Sequence, residues 1–282
     1  RSDITLFLAK QMGLWLREED LPTRVCYGDT ILRHQHPEDV SKNEFFQMGA
    51  ELIGKAGFEA DIEILILLQK TFFGLGVRPA LHIGSHQFLM TALGELPRAE
   101  LRETVDLLDN RDFEGLERRL RDRISPRRAE VLSSILGFIG ERGEFSTFIA
   151  EYDGILHNEE MEDLLYLEHI AGKMEELGYG ENVRIDLSEI GGQPYYTGIV
   201  FRSYLPGLDS AVASGGRYDK LLASFGFDCP SVGFSFMLRK IEHLVEDRFG
   251  LPEDITEVDE QDFNQAFKKA EKLRSEGRIA LL

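Results

Sequence analysis

Cysteine is scarce in this chain of 282 residues, which has only Cys26 and Cys229. Two thiols are too few for a disulfide-stabilised scaffold, so they predict a protein of the reducing cytoplasm. Long apolar runs are lacking as well: the longest surrounds residues 64–68 and is far shorter than the roughly 18 residues that span a bilayer. No signal-peptide pattern begins at Arg1. We therefore expect a soluble, cytoplasmic protein without a membrane partner.

Positive charge is also in short supply. The chain has 32 Lys and Arg against 50 Asp and Glu, a net charge of −18 with His neutral. Nucleic acids and anionic membranes are bound through faces dense in Lys and Arg, so this balance argues against both partners. Apolar residues make up 43% of the chain and charged residues 29%, which allows a sizeable core in one large domain or two.

Helical periodicity predicts a helix at the start of the chain, with Asp3 or Thr5 as its N-cap. Between about residues 96 and 150, long polar helices with a break at Ser125-Pro126 indicate an inserted helical module.

Two segments near the N-terminus, 24–32 and 44–52, predict an antiparallel hairpin with a long polar tip. Alternation in the second strand places Gln47 and Glu51 side by side on one face. Strand patterns return after residue 183, and helices and strands are interleaved without regular βαβ spacing. This order favours an α+β fold with an antiparallel sheet flanked by helices.

A candidate site for a cation consists of Asp3, Gln47 and Glu51. An ammonium group needs two or more acceptors at a partly desolvated position, and these side chains supply them. The alternative is that they are ordinary solvated polar residues, since most acidic side chains are exposed. The sequence pattern leaves both interpretations open.

Two glycine-containing tracts lie in the last third of the chain. In the first, Tyr195 and Tyr196 are adjacent, and on a strand their rings would point to opposite faces, so only one would line a pocket. The second tract, 213–219, predicts a loop whose backbone N–H groups suit a carboxylate or phosphate. Most such tracts are plain turns, so this signal is weak.

His82 and His86 are four residues apart, a spacing that would suit a metal on a helix. Gly84 stands between them at the end of a predicted strand, so structural roles are favoured and no metal is expected. Cys26 lacks a neighbouring catalytic histidine pattern and is predicted to be a core residue.

Several tracts resemble, in order, the motifs of class II aminoacyl-tRNA synthetases of the histidyl type. The resemblance covers residues 1 to about 243 and implies the antiparallel core of that class. The matching tracts are Arg1-Ser2-Asp3-Ile4-Thr5, Leu32-Arg33-His34-Gln35, Gln47-Met48-Gly49-Ala50-Glu51, Tyr195-Tyr196-Thr197, Ser214-Gly215-Gly216-Arg217-Tyr218-Asp219 and Pro230-Ser231-Val232-Gly233-Phe234.

The departures from these motifs fall on residues that activate the amino acid. Gly191 stands where the synthetases carry a catalytic arginine, and Gln35 replaces the motif 2 glutamate. Motif 3 ends with Met237 in place of glycine and Lys240 in place of the arginine that grips ATP phosphate. Lysine lacks the planar fork that binds phosphate through two bonds. The resemblance therefore implies a retained amino-acid pocket and a lost adenylation site.

This combination resembles the regulatory subunits of ATP phosphoribosyltransferase, synthetase-like proteins of histidine biosynthesis without aminoacylation activity. The resemblance implies that the short-form catalytic subunit is a partner, that the chain forms a dimer, and that L-histidine is a ligand. It implies no catalytic residue, cofactor or nucleic-acid partner. The implied histidine-binding residues, among which Arg33 suits the ligand carboxylate, are Asp3, Thr5, Arg33, Gln47, Glu51, Tyr195 and Tyr196.

Two other functions remain open from sequence. One is a truncated catalytic core of histidyl-tRNA synthetase, and the other is a dimerising scaffold that binds no amino acid.

We predict a synthetase-like core over residues 1–248 and a C-terminal remnant over 249–282. That remnant resembles only the start of the synthetases' anticodon-binding domain. The chain begins at Arg1 and ends within a predicted strand at Leu282, so we expect further segments at both ends.

Overall fold

The structure, a computed structural model, describes residues 3–32, 44–94, 96–208, 210–242 and 255–258, and scattered positions from 265 to 281. The chain divides into one unit of residues 1–241 and a second of residues 242–282.

One mixed sheet organises the described part of the first unit, with strand order β1-β2-β8-β7-β6-β3-β5-β4. Neighbouring strands are antiparallel except for the parallel pair β3 and β5. The predicted α+β class with a largely antiparallel sheet is confirmed. The strands are β1 (Thr23–Leu32), β2 (Glu44–Ile53), β3 (Ala80–Ser85), β4 (Ile139–Gly140), β5 (Val183–Asp186), β6 (Ile199–Tyr204), β7 (Ala213–Arg217) and β8 (Ser231–Met237).

Several helices of this unit begin at side-chain caps that the sequence carries. The Asp3 carboxylate accepts a hydrogen bond from Leu6 N at 2.9 Å, as expected of an N-cap. Ser125 caps a later helix, in which Pro126 occupies the first turn where its missing N–H costs nothing. The described helices are α1 (Ile4–Trp15), α2 (Phe58–Gly74), α3 (His86–Leu93), α4 (Arg98–Asp109), α5 (Phe113–Arg121), α6 (Pro126–Leu136), α7 (Arg142–Ala150), α8 (Asn158–Glu176) and α9 (Leu238–Ile241).

The two faces of the sheet differ in character because side chains alternate along each strand. One face is apolar and packs against α2 and α8; there Leu52, Val232 and Phe201 are at most 1% exposed. Burying each such side chain contributes about 1.5–3 kcal/mol. Polar side chains, among them Gln47 and Glu51, occupy the opposite face, and the site is built on that face.

The inserted helical segment shares this core. Leu108 of α4, Leu116 of α5 and Leu132 of α6 belong to the same buried cluster as the sheet residues. The short strand β4 also pairs with β5 and extends the sheet. The helices α4 to α7 are therefore packed as part of the first unit.

Four local predictions need correction or qualification. Cys26, predicted to be a core residue, is exposed on β1. The tract 213–219 is not a loop: residues 213–217 form β7, so the ladder to β6 and β8 uses backbone groups expected to face a ligand. Tyr195 and Tyr196 do not lie on a strand, because β6 begins at Ile199. The predicted polar tip of the hairpin lies outside the described residues.

The second unit contains the parallel strand pair β9 (Ile255–Glu257) and β10 (Ile279–Leu281). β10 confirms the strand expected at the end of the chain. Within the described ranges, no helix combines the length and apolar character that a membrane crossing requires.

Candidate functional site

A pocket opens on the polar face of the sheet, over β2, β7 and β8. It gathers side chains from α1, from the sheet and from the turn before β6. The implied site residues that line it are Asp3, Thr5, Gln47, Glu51, Tyr195 and Tyr196. Arg33, the remaining implied residue, lies outside the described residues.

Glu51 on β2 is the buried acid of the pocket, with 3% of its surface exposed. Its carboxylate accepts hydrogen bonds from Thr5 Oγ1 at 2.9 Å and from the Tyr218 hydroxyl at 2.5 Å. Burial raises the pKa of Glu51 to about 7, although the hydrogen bonds from Tyr218 and Thr5 act in the opposite direction. Because no Lys or Arg occurs among the described residues lining the pocket, a cationic ligand would supply the missing charge partner.

Gly233 on β8 makes room for this carboxylate. The two residues lie directly opposite each other in the antiparallel ladder. A Cβ at position 233 would stand 1.5 Å from Glu51 Oε2, a distance that no side chain can occupy. The Glu51 carboxylate therefore lies over the bare backbone of β8, and any side chain at position 233 would displace it.

Asp3 holds the start of α1 and also faces the pocket. One carboxylate oxygen accepts from Leu6 N, and the other accepts from the Tyr195 hydroxyl at 3.2 Å. The cap thus ties the helix start to the turn that carries Tyr195. It places a second acid beside Glu51, which adds to the upward shift of the Glu51 pKa.

Gln47 lies four residues before Glu51 on the same face of β2, with Gly49 between them. It is 8% exposed, and its Oε1 atom has no hydrogen-bond partner in the described structure. Buried side-chain acceptors are normally paired, because an unmet hydrogen bond is costly. An acceptor that lines a pocket in this state suits a donor on a bound ligand.

Both tyrosines line the pocket, so the prediction that only one would do so is wrong. They lie in the turn before β6, and strand alternation does not apply there. Their rings meet edge to face at 5.3 Å. Together they form an aromatic wall.

Tyr196 of this wall occupies the space that a side chain at position 191, the position of the synthetases' arginine, would need. Gly191 has φ +77°, a conformation that L-residues rarely adopt. A Cβ there would lie 2.5 Å from Tyr196 Cδ2 and 2.8 Å from Val200 Cγ1. A side chain at position 191 would require Tyr196 to move.

Tyr218 lines the pocket. It lies in one of the tracts that resemble the synthetase motifs, but the resemblance did not give it a binding role. It is 3% exposed, donates to Glu51, and its ring lies 5.8 Å from that of Tyr195. The matching tract 214–219 carried the signal. Its neighbour Arg217 has another role, since it pairs with buried Asp61 at 2.6 Å and with Asp219 at 3.0 Å.

Met237 and Lys240, the two residues that differ from motif 3 of the synthetases, lie at the pocket and near it. Met237 lines the pocket directly. Lys240 Nζ donates to Ser210 Oγ and to Ala211 O, both at 2.8 Å. The lysine thus contacts the segment that leads into β7.

The two histidines flagged by spacing have separate partners. His82 Nδ1 lies 2.9 Å from Asp186, and His86 Nδ1 lies 3.0 Å from Ile190 O. His82, Asp186 and Glu189 are close enough to share an ion. However, Arg111 contacts Asp186 at 3.1 Å, and Glu189 also pairs with an arginine, so both carboxylates already have cationic partners.

Comparison with known proteins agrees with this architecture. The sequence profile of the histidyl-tRNA synthetase family matches residues 1–241. A crystal structure described as an ATP phosphoribosyltransferase regulatory subunit/histidyl-tRNA synthetase from Bacillus halodurans superposes with a TM-score of 0.80 at 24% identity, covering 100% of this chain and 73% of the other. Fold and pocket together define a histidyl-tRNA synthetase-like core of the class II type.

Curated relatives narrow this class. The ATP phosphoribosyltransferase regulatory subunit of Chromobacterium violaceum is 33% identical, over 100% of this chain and 72% of the relative. That of Geobacter sulfurreducens is 30% identical over 98% of this chain, which spans 64% of the relative's length. The chain belongs to the family of ATP phosphoribosyltransferase regulatory subunits.

Proposed function

We propose that this protein is a non-catalytic regulatory subunit of ATP phosphoribosyltransferase. It is required for the activity of the short-form catalytic subunit and for histidine feedback on the first step of histidine biosynthesis. The proposal is supported by a contrast between two parts of one site. The buried Glu51 carboxylate has its hydroxyl donors in place, as an amino-acid pocket needs. At position 191, where the synthetases have a catalytic arginine, Tyr196 packs over a glycine.

L-Histidine is the proposed ligand. Asp3, Gln47 and Glu51 bind its ammonium and polar edge with help from Thr5, and the tyrosine pair walls the imidazole. The acceptors and the tyrosine rings line the same pocket, which suits a ligand that has both polar groups and a planar ring. Arg33 is proposed as a further histidine-binding residue.

Feedback requires that histidine bind one state of the assembly more tightly than another, since equal affinity shifts no equilibrium. The assembly proposed is a hetero-oligomer of the catalytic subunit with a dimer of this chain in the cytoplasm. Residues 1–248 form its synthetase-like core and 249–282 a C-terminal remnant. The net charge of −18 supports a partner other than tRNA.

Reconstitution tests this proposal. The short-form catalytic subunit is assayed alone and with this protein, over a histidine titration. We expect turnover only in the mixture, and inhibition as histidine rises. Full turnover of the catalytic subunit by itself, or a mixture insensitive to histidine, would contradict the regulatory role.

Glu51→Ala tests the pocket within the same assay. Removing one acceptor of a bound ammonium costs about 2–5 kcal/mol, so the histidine inhibition curve shifts to concentrations at least thirtyfold higher. The matched control is Glu63→Ala on α2, a glutamate that pairs with Arg24 on the exposed surface. Histidine-dependent ATP–pyrophosphate exchange by the wild type would instead favour a synthetase core.

A further inference from the structure

The polar face of the sheet continues beyond the pocket into a groove that contains a cation. Pocket and groove share Gln193, Tyr196, Ser214 and Gly215, and the groove adds Arg202 of β6. The described residues that line the pocket itself include no Lys or Arg. The groove is also lined by Glu189, which pairs with Arg202, so it places an arginine with a bound counter-ion next to the acidic pocket.

Arg202 and Glu51 extend from the same face of the sheet. Glu51 lies opposite Gly233, Gly233 opposite Gly216, and Gly216 opposite Val200, and directly opposed residues share a face. Arg202 is two residues beyond Val200, so its side chain points to that face too. Three strand spacings separate β2 from β6, roughly 14 Å. The Glu51 side chain narrows this gap from its end, because its carboxylate lies over Gly233 of β8.

The Arg202 guanidinium is held in place without being enclosed. Its Nη1 atom lies 2.9 Å from Oε2 of buried Glu189, whose other oxygen accepts from the Tyr204 hydroxyl. Its Nη2 atom lies beside Gly192, where a Cβ would be 3.7 Å away. The Arg202 side chain keeps 29% of its surface exposed. Since a guanidinium has five N–H donors, the pairing with Glu189 leaves donors that can face the groove.

Lys240 is the competing cation on this face. It lines an adjoining depression with Ser235 and Met237, which also border the pocket. Its ammonium already donates to the backbone and side chain of residues 210–211. A point charge held in this way is less suited than a guanidinium to a planar carboxylate, which Arg binds through two parallel hydrogen bonds.

We propose that Arg202 binds the carboxylate of the amino-acid ligand whose ammonium and polar edge contact the Glu51 end of the pocket. This inference rests on the proposed function and names a further residue of its ligand site. Charge along the polar face runs from negative at Glu51 to positive at Arg202, an order that fits a zwitterion in one orientation. The carboxylate partner then comes from the sheet, since position 191 offers no side chain.

Calorimetry with L-histidine and L-histidinol tests the proposal, because histidinol has a hydroxymethyl group in place of the carboxylate. Both are titrated into the purified protein and into its complex with the catalytic subunit. We expect the wild type to bind histidine at least tenfold more tightly than histidinol. Arg202→Gln should remove most of that preference, because it weakens the binding of histidine and leaves the binding of histidinol unchanged. Arg202→Lys should retain part of the preference.

Two further variants cover a loss of folding, because Arg202→Gln leaves the buried Glu189 carboxylate without its cation. The double variant Glu189→Gln/Arg202→Gln removes both charges and is expected to lose the preference equally. Glu189→Gln alone keeps Arg202 and should keep or increase the preference. Lys240→Gln is the matched control and should leave the preference unchanged.

Several results would overturn the proposal. One is an equal affinity of the wild type for histidine and histidinol. Another is a preference for histidine that survives in both variants lacking Arg202. The third is a preference for histidine that Lys240→Gln or Arg33→Gln abolishes and Arg202→Gln does not. Absence of histidine binding to the wild type, alone and in complex, would contradict the proposed function itself and this inference with it.

Discussion

Replacing Glu51 by Gln should remove a loss of stability that the protein undergoes as the pH rises from acidic to neutral. The carboxylate is 3% exposed, and burial raises its pKa to about 7 from an ordinary 4.5. The folded protein therefore holds a proton that the unfolded chain releases between these values. Stability of the unliganded wild type falls as pH rises through that window, whereas glutamine has no charge to bury.

The magnitude follows from the two pKa values. They differ by 7 − 4.5 = 2.5, and one pKa unit corresponds to about 1.36 kcal/mol. The penalty on wild-type stability is therefore absent below about pH 4.5 and reaches roughly 3 kcal/mol above pH 7. Between pH 5 and 8 the Gln variant should gain about 2–3 kcal/mol relative to wild type, because part of the penalty is already present at pH 5. This change does not depend on any constant offset that its altered hydrogen bonds introduce.

Urea unfolding of both proteins at several pH values between 5 and 8.5, without histidine, measures the difference. Glu63→Gln is the control: its hydrogen bond with Arg24 lowers the pKa of Glu63, so wild type and control should differ by a constant amount over this range. A constant difference for the Glu51 variant as well would refute the reasoning, because it would mean that the buried carboxyl does not titrate there.

Three more changes test the packing around the site. Gly233→Ala forces the Glu51 carboxylate from its place, so calorimetry should show histidine affinity lowered at least tenfold; unchanged affinity would contradict the crowded contact. Arg217→Ala leaves Asp61 buried without its arginine, which should lower the free energy of unfolding in urea by about 3–5 kcal/mol. Adding Asp61→Asn should recover part of this stability. No recovery would argue against charge burial as the cause. Phe72→Ala, at a side chain 1% exposed, should cost about 3–5 kcal/mol, and a loss below 1 kcal/mol would mean the core collapses around the gap.

Local patterns in the sequence determined where the first helix begins and which residues share one face of β2. Asp3 as the cap of the first helix depends only on residues within one turn. Alternation along β2 placed Gln47 and Glu51 on one face, and the ladder with β1 has that arrangement. These features follow from the chain's own periodicity, so they are readable without knowledge of distant contacts.

The tertiary structure alone decided what surrounds these residues. Tyr218 reaches Glu51 across 167 positions of sequence, and Gly233 becomes its neighbour only because β8 lies between β2 and β7. Both tyrosines entered the pocket because the chain turns before β6 and has no strand there. The pairing of Arg202 with Glu189 likewise links a strand to the segment before that turn.

The physical reason is the range of each effect. Helix capping and side-chain alternation are set by neighbours within a few residues, so the sequence by itself determined them. The order of strands in the sheet brings remote residues together, and the loss of water around Glu51 that raises its pKa exists only once they have met.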